Sequence, residues 1–435
     1  MKDKILDTAK QLQSELVALR RDFHRHAESA WTEFRTASIV AKHLEEAGYE
    51  VYWGEDVIDE ASMMGVPPKE VLEKQMERAK AQGAHAKYLD KMKGGKTGVV
   101  GILKTGKPGP VIALRFEMDS NEMDESTDPN HRPNKEGFAS VNALAMHACG
   151  HDGHVATGIG VAKVLAKFKD DYTGTIKLIF QPAEEGVRGA ASMVAKGLVD
   201  DADYTLGMHL GFSVDKNGQF ICGCGGLLAT SKFDAIFKGV PAHAGARPEE
   251  GKSALLAAAA ASLSVQGIYR HSAGASRINI GVLQAGTGRN VVPENAIIKL
   301  ETRGASSDIN GFMEKEAIRM INASAAMYDC QVRTEATGAA MSAESDPELI
   351  TLTKQVAVEL GIFDDIRETE NLGFSEDYSF FMDKVQKKGG KANYFMVGTN
   401  LAAGHHDSRF DFDEDVIYKG VAVTALLAYR LGQGR

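Results

Sequence analysis

The sequence predicts an α/β fold in two domains, and three observations carry that prediction. The chain has 435 residues, more than one hydrophobic core ordinarily serves. Strand-like apolar runs alternate with helical stretches through its first half, the mark of a sheet covered by helices. Near residue 225 the pattern changes to alternating strands around an Ala-rich helix, and after about residue 337 the chain returns to the first domain.

The elements follow in order. MKDKILDTAKQLQSELVALRRDF reads as an amphipathic helix with Ile5, Leu12, Leu16 and Leu19 on one face. Between 55 and 97, Pro67-Pro68 can start a helix, and KEVLEKQMERAKAQGAHAKYLDKMK follows with strong helix formers. This stretch reads as a solvated surface excursion, with a substrate-side cover or subunit contact as the alternative. GPVIALRF (109–116), TIKLIFQ (175–181) and DYTLGMHL (203–210) are strands, while 153–168 and 190–199 have helical spacing. The inserted block opens with GGLLATSKFDAIFKGV. It continues with a helix from Ser253 to about Val265, strands at 277–284 and 294–302 and a helix over 308–326. The expected division is 1–227 and 338–435 for the first domain and 228–337 for a compact α+β insertion with its ends close together.

Composition excludes several classes. An apolar fraction of 43% with 25% charged residues is that of a soluble globular protein. A net charge of -9 offers no basic footprint for nucleic acid. No run of 18 apolar residues suggests a membrane span, and the N-terminus lacks the apolar core of a secretory signal. Four cysteines do not make a disulfide framework, so a cytoplasmic, reduced protein is expected. Cys222-Gly223-Cys224 has the wrong spacing for a redox pair and reads as structural, and Cys330 has no companion motif. No phosphate-binding loop, nucleophile elbow or dinucleotide fingerprint occurs.

The chemistry concentrates in a few motifs just past strand ends, where open α/β sheets place ligands. His147-Ala-Cys-Gly-His-Asp-Gly-His154 gathers three of the chain's 13 histidines with a cysteine and an aspartate. Cys149 and His151, two apart, can face the same way in an extended loop. A thiolate with an imidazole suits Zn²⁺, Mn²⁺ or a similar first-row ion. Gln181-Pro-Ala-Glu184-Glu185-Gly follows a strand directly. On a non-helical turn its two carboxylates diverge, so one can bind metal while the other carries protons, as metal-assisted hydrolysis requires. His209 ends a strand, and His405-His406-Asp407 precedes an acidic run. In the inserted domain His243, Asn290 and Arg303 supply donors for a carbonyl oxygen and a carboxylate.

Together these residues resemble the amidohydrolase branch of the aminoacylase and glutamate-carboxypeptidase superfamily of co-catalytic metallopeptidases. The resemblance runs from LRRDFHRHAE (19–28) through MHACGHDGH, QPAEEG, HAGARPEEG, GRNVVP and SEDYSFF to the final HHD. It implies a mixed-sheet α/β/α catalytic domain with an inserted ferredoxin-like lid that mediates dimerisation. It also implies a dinuclear site with Cys149, His151, Glu185, His209 and His406 as ligands, Cys149 bridging two ions. Glu184 matches the general base that takes the proton of the attacking water and returns it to the leaving amine. His243 matches a lid histidine that stabilises the oxyanion, often across a dimer, and Asn290 and Arg303 match positions gripping a carboxylate. Asp119 matches an aspartate behind the ligands. Glu117 departs from the branch, which usually has aspartate there, as does Ser120 from alanine; both bear on substrate and metal preference.

The 55–97 insertion, HRPNKEGFAS (131–140) and LAAGHHDSRFDFDE (401–414) resemble the bacterial group of that branch that removes glutamate from p-aminobenzoyl-glutamate, a folate breakdown product. That implies an N-acyl glutamate substrate, Mn²⁺ first with Zn²⁺ as the alternative, and a homodimer with room for a homologous second subunit. The rival expectations are a broader N-acyl-amino-acid amidohydrolase or dipeptidase, and a non-catalytic binding protein on the same fold.

Overall fold

A computed structural model describes residues 1–434. Helices α1 (Lys2–Arg25) and α2 (Phe34–Glu46) precede β1 (Glu50–Trp53), and α3 (Lys69–Ala81) and α4 (Ala86–Leu89) lie in the 55–97 stretch. Then come β2 (Val99–Lys104), β3 (Val111–Glu117), α5 (Arg132–Glu136), α6 (His151–Lys167), β4 (Thr175–Gln181), α7 (Ala190–Ala195), β5 (Tyr204–Leu210), β6 (Gln219–Ile221) and β7 (Cys224–Gly225). The inserted block holds β8 (Ala229–Lys238), α8 (Ala254–Gln266), β9 (Ser276–Ala285), β10 (Asn295–Gly304), α9 (Ser307–Met327) and β11 (Gln331–Ala340). The chain returns through α10 (Pro347–Leu360), β12 (Asp365–Arg367), β13 (Glu370–Asn371), α11 (Ser379–Lys387), β14 (Lys391–Val397) and α12 (Val416–Gly432). By compactness it divides into one unit of residues 1–225, 344–372 and 377 onward and a second of residues 226–343 with 373–376.

The first unit is built on a mixed eight-stranded sheet in the order β1-β2-β4-β3-β5-β14-β6-β12. Its centre, β4-β3-β5-β14, is parallel, and these four strands are buried almost throughout. Burial on both faces explains why their sequences are near-continuous apolar runs rather than alternating ones. The parallel arrangement brings Glu117, Gln181 and Leu210 to one edge, so three strand ends deliver side chains to one place. Helix α6 lies close over that centre. A Cβ at Gly158 would sit 2.8 Å from the Phe116 ring and 2.7 Å from that of Phe180, so glycine sets the helix-to-sheet distance.

Two expectations change. The long helix-forming run after Pro68 does not continue; it stops at Ala81, and Gly83, at φ +96°, turns the chain into the short α4. The 55–97 stretch is the surface excursion expected, most of its residues at least partly exposed, but it is anchored. Leu72, Ala79, Tyr88, Leu89 and Met92 are buried, and the Trp31 indole donates to the Met64 carbonyl at 2.8 Å. The sparse apolar residues among many Lys and Glu conceal that anchoring in the sequence. Helix α7 also ends before 199, because Gly197 adopts a left-handed φ of +84°.

The second unit is a four-stranded antiparallel sheet in the order β11-β8-β10-β9 with α8 and α9 on one face. This βαββαβ arrangement is the split βαβ, or ferredoxin-like, unit. Phe233, Phe237, Ile298, Leu300, Met313 and Ile321 form its core with the alanines of α8. Among the described residues no helix is long and apolar enough to cross a membrane.

Candidate metal centre

At the strand edge the first unit collects donors from four loops. Cys149 Sγ, a ring nitrogen of His151 and a Glu185 carboxylate oxygen lie within 4.8 Å of one another. Cys149 Sγ is 3.5 Å from His209 Nε2, and Glu185 Oε1 is 3.5 Å from His406 Nε2. All five side chains expected as ligands from the sequence are thus brought together. Donors on one tetrahedral ion with bonds of about 2.0–2.3 Å stand about 3.3–3.8 Å apart, so the two 3.5 Å separations fit ligation.

Local backbone geometry aims these donors. Cys149 and His151 do not converge along an extended loop as the sequence suggests. Gly150 is left-handed at φ +89°, and His151 is already the first residue of α6. Four of the seven non-glycine residues with positive φ among those described, Ala183, Val187, Phe212 and His406, lie in loops of this site. Such strain costs on the order of 1–3 kcal/mol per residue and persists where a surrounding structure enforces it. His406 is held by its backbone N–H donating to the Ala148 carbonyl at 2.8 Å. Its ring is the exposed member of the set, whereas neighbouring His405 turns inward, donates to the Leu210 carbonyl at 3.1 Å and stacks on Phe212.

A second layer of hydrogen bonds fixes which nitrogen faces the site. His151 Nδ1 donates to the Asp119 carbonyl at 2.8 Å, leaving Nε2 buried with no hydrogen-bond partner. His209 Nδ1 donates to the Leu210 carbonyl, so its Nε2 lone pair points at Cys149. An orphaned imidazole nitrogen among a thiol and carboxylates is the environment a divalent cation satisfies. Burial opposes a charge on His151, but Asp119, Glu117 and Glu185 outweigh it and push its pKa up to about 10. The carboxylates around His151 thus favour positive charge at this point.

Asp119 has a positioning part in this arrangement. Its two carboxylate oxygens accept the backbone N–H groups of Glu184 and Glu185 at 2.9 and 2.8 Å, holding the turn that splays the paired glutamates. Glu184 Oε2 then lies 4.0 Å from His151 Nε2. Glu33 supports the same turn, accepting the Ala183 N–H at 2.8 Å and the Thr97 hydroxyl at 2.6 Å.

Several participants escape sequence reasoning. Glu117 appears there only as a departure, yet its carboxylate is fully buried between Arg115 Nη1 at 2.7 Å and His154 Nδ1 at 2.9 Å. It stands 3.8 Å from His151 Nε2. Despite burial, Arg115 and His154 hold it well below the usual carboxylate range. Glu117, His151, His154 and His209 form a second compact group of donors. The one available signal is spacing: Arg115 and Glu117 share a strand face, and His151 and His154 share a helix face. Arg115 also reaches Gln181 and Asp377, pairings from distant segments that no local pattern announces.

Beneath the centre, Arg20 of α1 is wholly buried. It meets Asp152 at 2.8 Å, Asp411 at 2.8 Å and Glu414 at 3.2 Å. It thereby ties the start of α6, next to His151, to the segment that follows His406. His24, one turn along α1, donates to both Asp152 and Glu125. Burial opposes its charge, but the hydrogen bonds to Asp152 and Glu125 prevail and raise its pKa to about 9. Because the folded value exceeds the unfolded one, this contact stabilises fully below about pH 6.5 and is lost as pH rises through 9. Thermal midpoints should therefore fall across that window, and His24→Gln should flatten the decline in a melting series.

In the second unit, the structure joins two of the three predicted lid residues. His243 and Val291 form a bridge, and the Ala244 N–H donates to the Asn290 carbonyl at 3.1 Å. His243 Nδ1 accepts from the N–H groups of Gly245 and Ala246, which places its proton on the outward Nε2. Arg303 is not with them. It lies at the far end of β10 from the 288–293 loop, roughly 27 Å along the strand at about 3.4 Å per residue, and pairs with Glu301.

With the geometry established, comparison with known proteins defines the family. The model for peptidase family M20/M25/M40 matches residues 113–430. The chain belongs to that family. Among M20 relatives, it is 49% identical over 94% of both chains to one of the subunits of the p-aminobenzoyl-glutamate hydrolase of Escherichia coli (strain K12). It is 48% identical over 96% of both to the indole-3-acetyl-aspartic acid hydrolase of Enterobacter agglomerans. The crystal structure of an aminobenzoyl-glutamate utilization protein from Klebsiella pneumoniae superposes with a TM-score of 0.84 at 42% identity, covering 98% of this chain and 97% of that one. This M20 protein is a metal-dependent hydrolase of amide bonds with a catalytic and a lid domain.

Proposed function

We propose that the protein releases glutamate from N-aroyl glutamates, p-aminobenzoyl-glutamate first among them. The observation that carries this reading is the complete Cys149-His151-Glu185-His209-His406 set with Glu184 beside it, in a chain 49% identical to its counterpart in the E. coli enzyme of that name.

In this reading the five side chains would hold two divalent ions, Mn²⁺ or Zn²⁺, which would supply Lewis-acid chemistry to the amide. Glu184 accepts the proton of the attacking water and delivers it to the nitrogen of the leaving glutamate as the amide C–N bond breaks. Asp119 keeps Glu184 and Glu185 apart. His243 offers its outward Nε2–H to the oxyanion, and Asn290 and Arg303 hold carboxylate oxygens. A homodimer through the second unit fits the separation of Arg303 from His243 and Asn290, since one protomer can supply the first and its partner the other two. Strand β9 is an unpaired edge, and Leu256, Leu263, Tyr269, Val282 and Leu283 around it and α8 are exposed, the surface such a partner would cover. The E. coli relative is named as one subunit of its hydrolase, so a homologous second subunit belongs to the proposal. None of the four cysteines is in a disulfide among the described residues, which supports a reducing, cytoplasmic setting.

The Enterobacter relative motivates a second reading, an aspartate conjugate as substrate. Metal-loaded protein should be assayed with p-aminobenzoyl-glutamate, indole-3-acetyl-aspartate and hippurate. Fastest release of glutamate is expected; faster cleavage of the aspartate conjugate or of hippurate would replace the substrate assigned here. Exhaustive chelation should reduce turnover at least about 100-fold, since metal ions contribute several kcal/mol to such reactions. Mn²⁺ or Zn²⁺ should restore it, with bound metal quantified in parallel.

A further inference from the structure

The helix-free face of the second unit's sheet carries a charged hollow that the roles above do not account for. Arg270, Arg277, Asn279, Glu301 and Arg303 line a space of about 400 Å³. Arg277 on β9 stands directly opposite Arg303 on β10, and Asn279 stands opposite Glu301. Residues two apart share a strand face, so these four side chains leave the side opposite Ile278, Ile280, Ile298 and Leu300, which pack into the core.

The charges there do not balance. Arg303 directs Nε and Nη2 at the two Glu301 oxygens, at 2.9 and 3.2 Å, so Glu301 holds the guanidinium in place and leaves Nη1 for a second carboxylate. Arg277 is exposed and has no ion pair or side-chain hydrogen bond among the described residues, and Arg270 reaches only the Ile268 carbonyl at 3.4 Å. Like charges at directly facing strand positions are destabilising. Arg277 and Arg270, with the Asn279 amide lining the same hollow and no anion paired to either, form a receptor for carboxylate, which Arg binds in bidentate fashion.

We infer that this hollow is a dicarboxylate clamp in which Arg277, backed by Arg270 and Asn279, takes the side-chain carboxylate of the substrate's amino-acid half while Arg303 takes its α-carboxylate. Facing residues of antiparallel strands stand about 4.5–5.5 Å apart. The two carboxyl carbons of an extended glutamate, four bonds apart, span about 5 Å. Specificity for an acidic amino acid then resides in Arg277, and the general grip on a free carboxylate in Arg303. This assignment rests on the glutamate reading above.

The test compares metal-loaded wild type, Arg277→Gln and Arg303→Gln on p-aminobenzoyl-glutamate and p-aminobenzoyl-glutamine, with calorimetric binding of free glutamate and glutamine alongside. Arg277→Gln should lower kcat/KM on the glutamate substrate about 30- to 100-fold, the worth of a charge-assisted pair. It should leave the glutamine substrate within about threefold and weaken glutamate binding alone. Arg303→Gln should weaken both substrates together. Equal loss on both substrates in Arg277→Gln, or no loss on either, overturns the clamp. If the wild type turns over neither substrate, the functional reading fails. The binding arm then still decides the clamp: it stands if Arg277→Gln weakens glutamate but not glutamine, and falls otherwise. Arg277 is exposed, so the variant folds as the parent does.

Discussion

Glu184→Gln should reduce kcat by about 10³-fold or more while the metal content of the purified protein stays unchanged. General base catalysis contributes about 10²–10⁴-fold, and here one carboxylate serves at both ends of the reaction, so its loss falls near the upper limit. The amide is isosteric and leaves the turn intact, because Asp119 grips the backbone N–H groups of Glu184 and Glu185 rather than their side chains. Elemental analysis beside steady-state kinetics reads both quantities. A variant that loses metal would make Glu184 a ligand; one with near-normal turnover would remove it from the proton path. Glu185→Gln should behave oppositely, losing metal first, since Glu185 stands with Cys149, His151 and His406.

The second large effect lies away from the reacting atoms. Arg20→Met should destabilise the protein by about 3–5 kcal/mol, the usual result of removing one partner from a buried ionic group. Asp152, Asp411 and Glu414 would remain with only part of their compensation: Arg132 for Asp411, Arg21 and Arg132 for Glu414, and His24 for Asp152. Denaturant midpoints measure the loss. Metal affinity should weaken with it, because the same guanidinium joins the Asp152 end of α6 to the 411–414 segment. Arg20→Lys should fall between, keeping the charge without the planar fork. A midpoint within about 1 kcal/mol of wild type would show that the surrounding residues repack around the carboxylates.

The parallel core and the ligand set are legible in the sequence for physical reasons. Strands buried on both faces must be apolar throughout, so β3, β4 and β5 stand out as runs. Cys149, His151 and the glutamate pair lie in short motifs whose residue types have few other uses. His209 and His406 become readable only through the family resemblance, since a lone histidine at a strand end carries no signal of its own. What stays hidden is long-range. Glu117 matters because Arg115 and His154 converge on it, and Arg20 because three carboxylates from distant segments meet it. The packing of 55–97 is masked because its few apolar residues are scattered among charges. Residue type groups Arg303 with His243 and Asn290, whereas the length of β10 separates it from them, a distance that residue type cannot reveal.

The strand order β5-β14-β6 has a consequence for how the protein is made. Strand β14 enters between two strands that leave the ribosome long before it, with the whole second unit synthesised in between. At about 5–20 residues per second, the roughly 180 residues separating β5 from β14 impose a delay of about 10–40 s. During that delay the edge of β5 that β14 will cover has no partner. His209 waits at its tip, and His406 follows later still. The donor set is therefore completed only once the chain has been made as far as His406, and until β14 pairs, the nascent first unit carries an open strand edge.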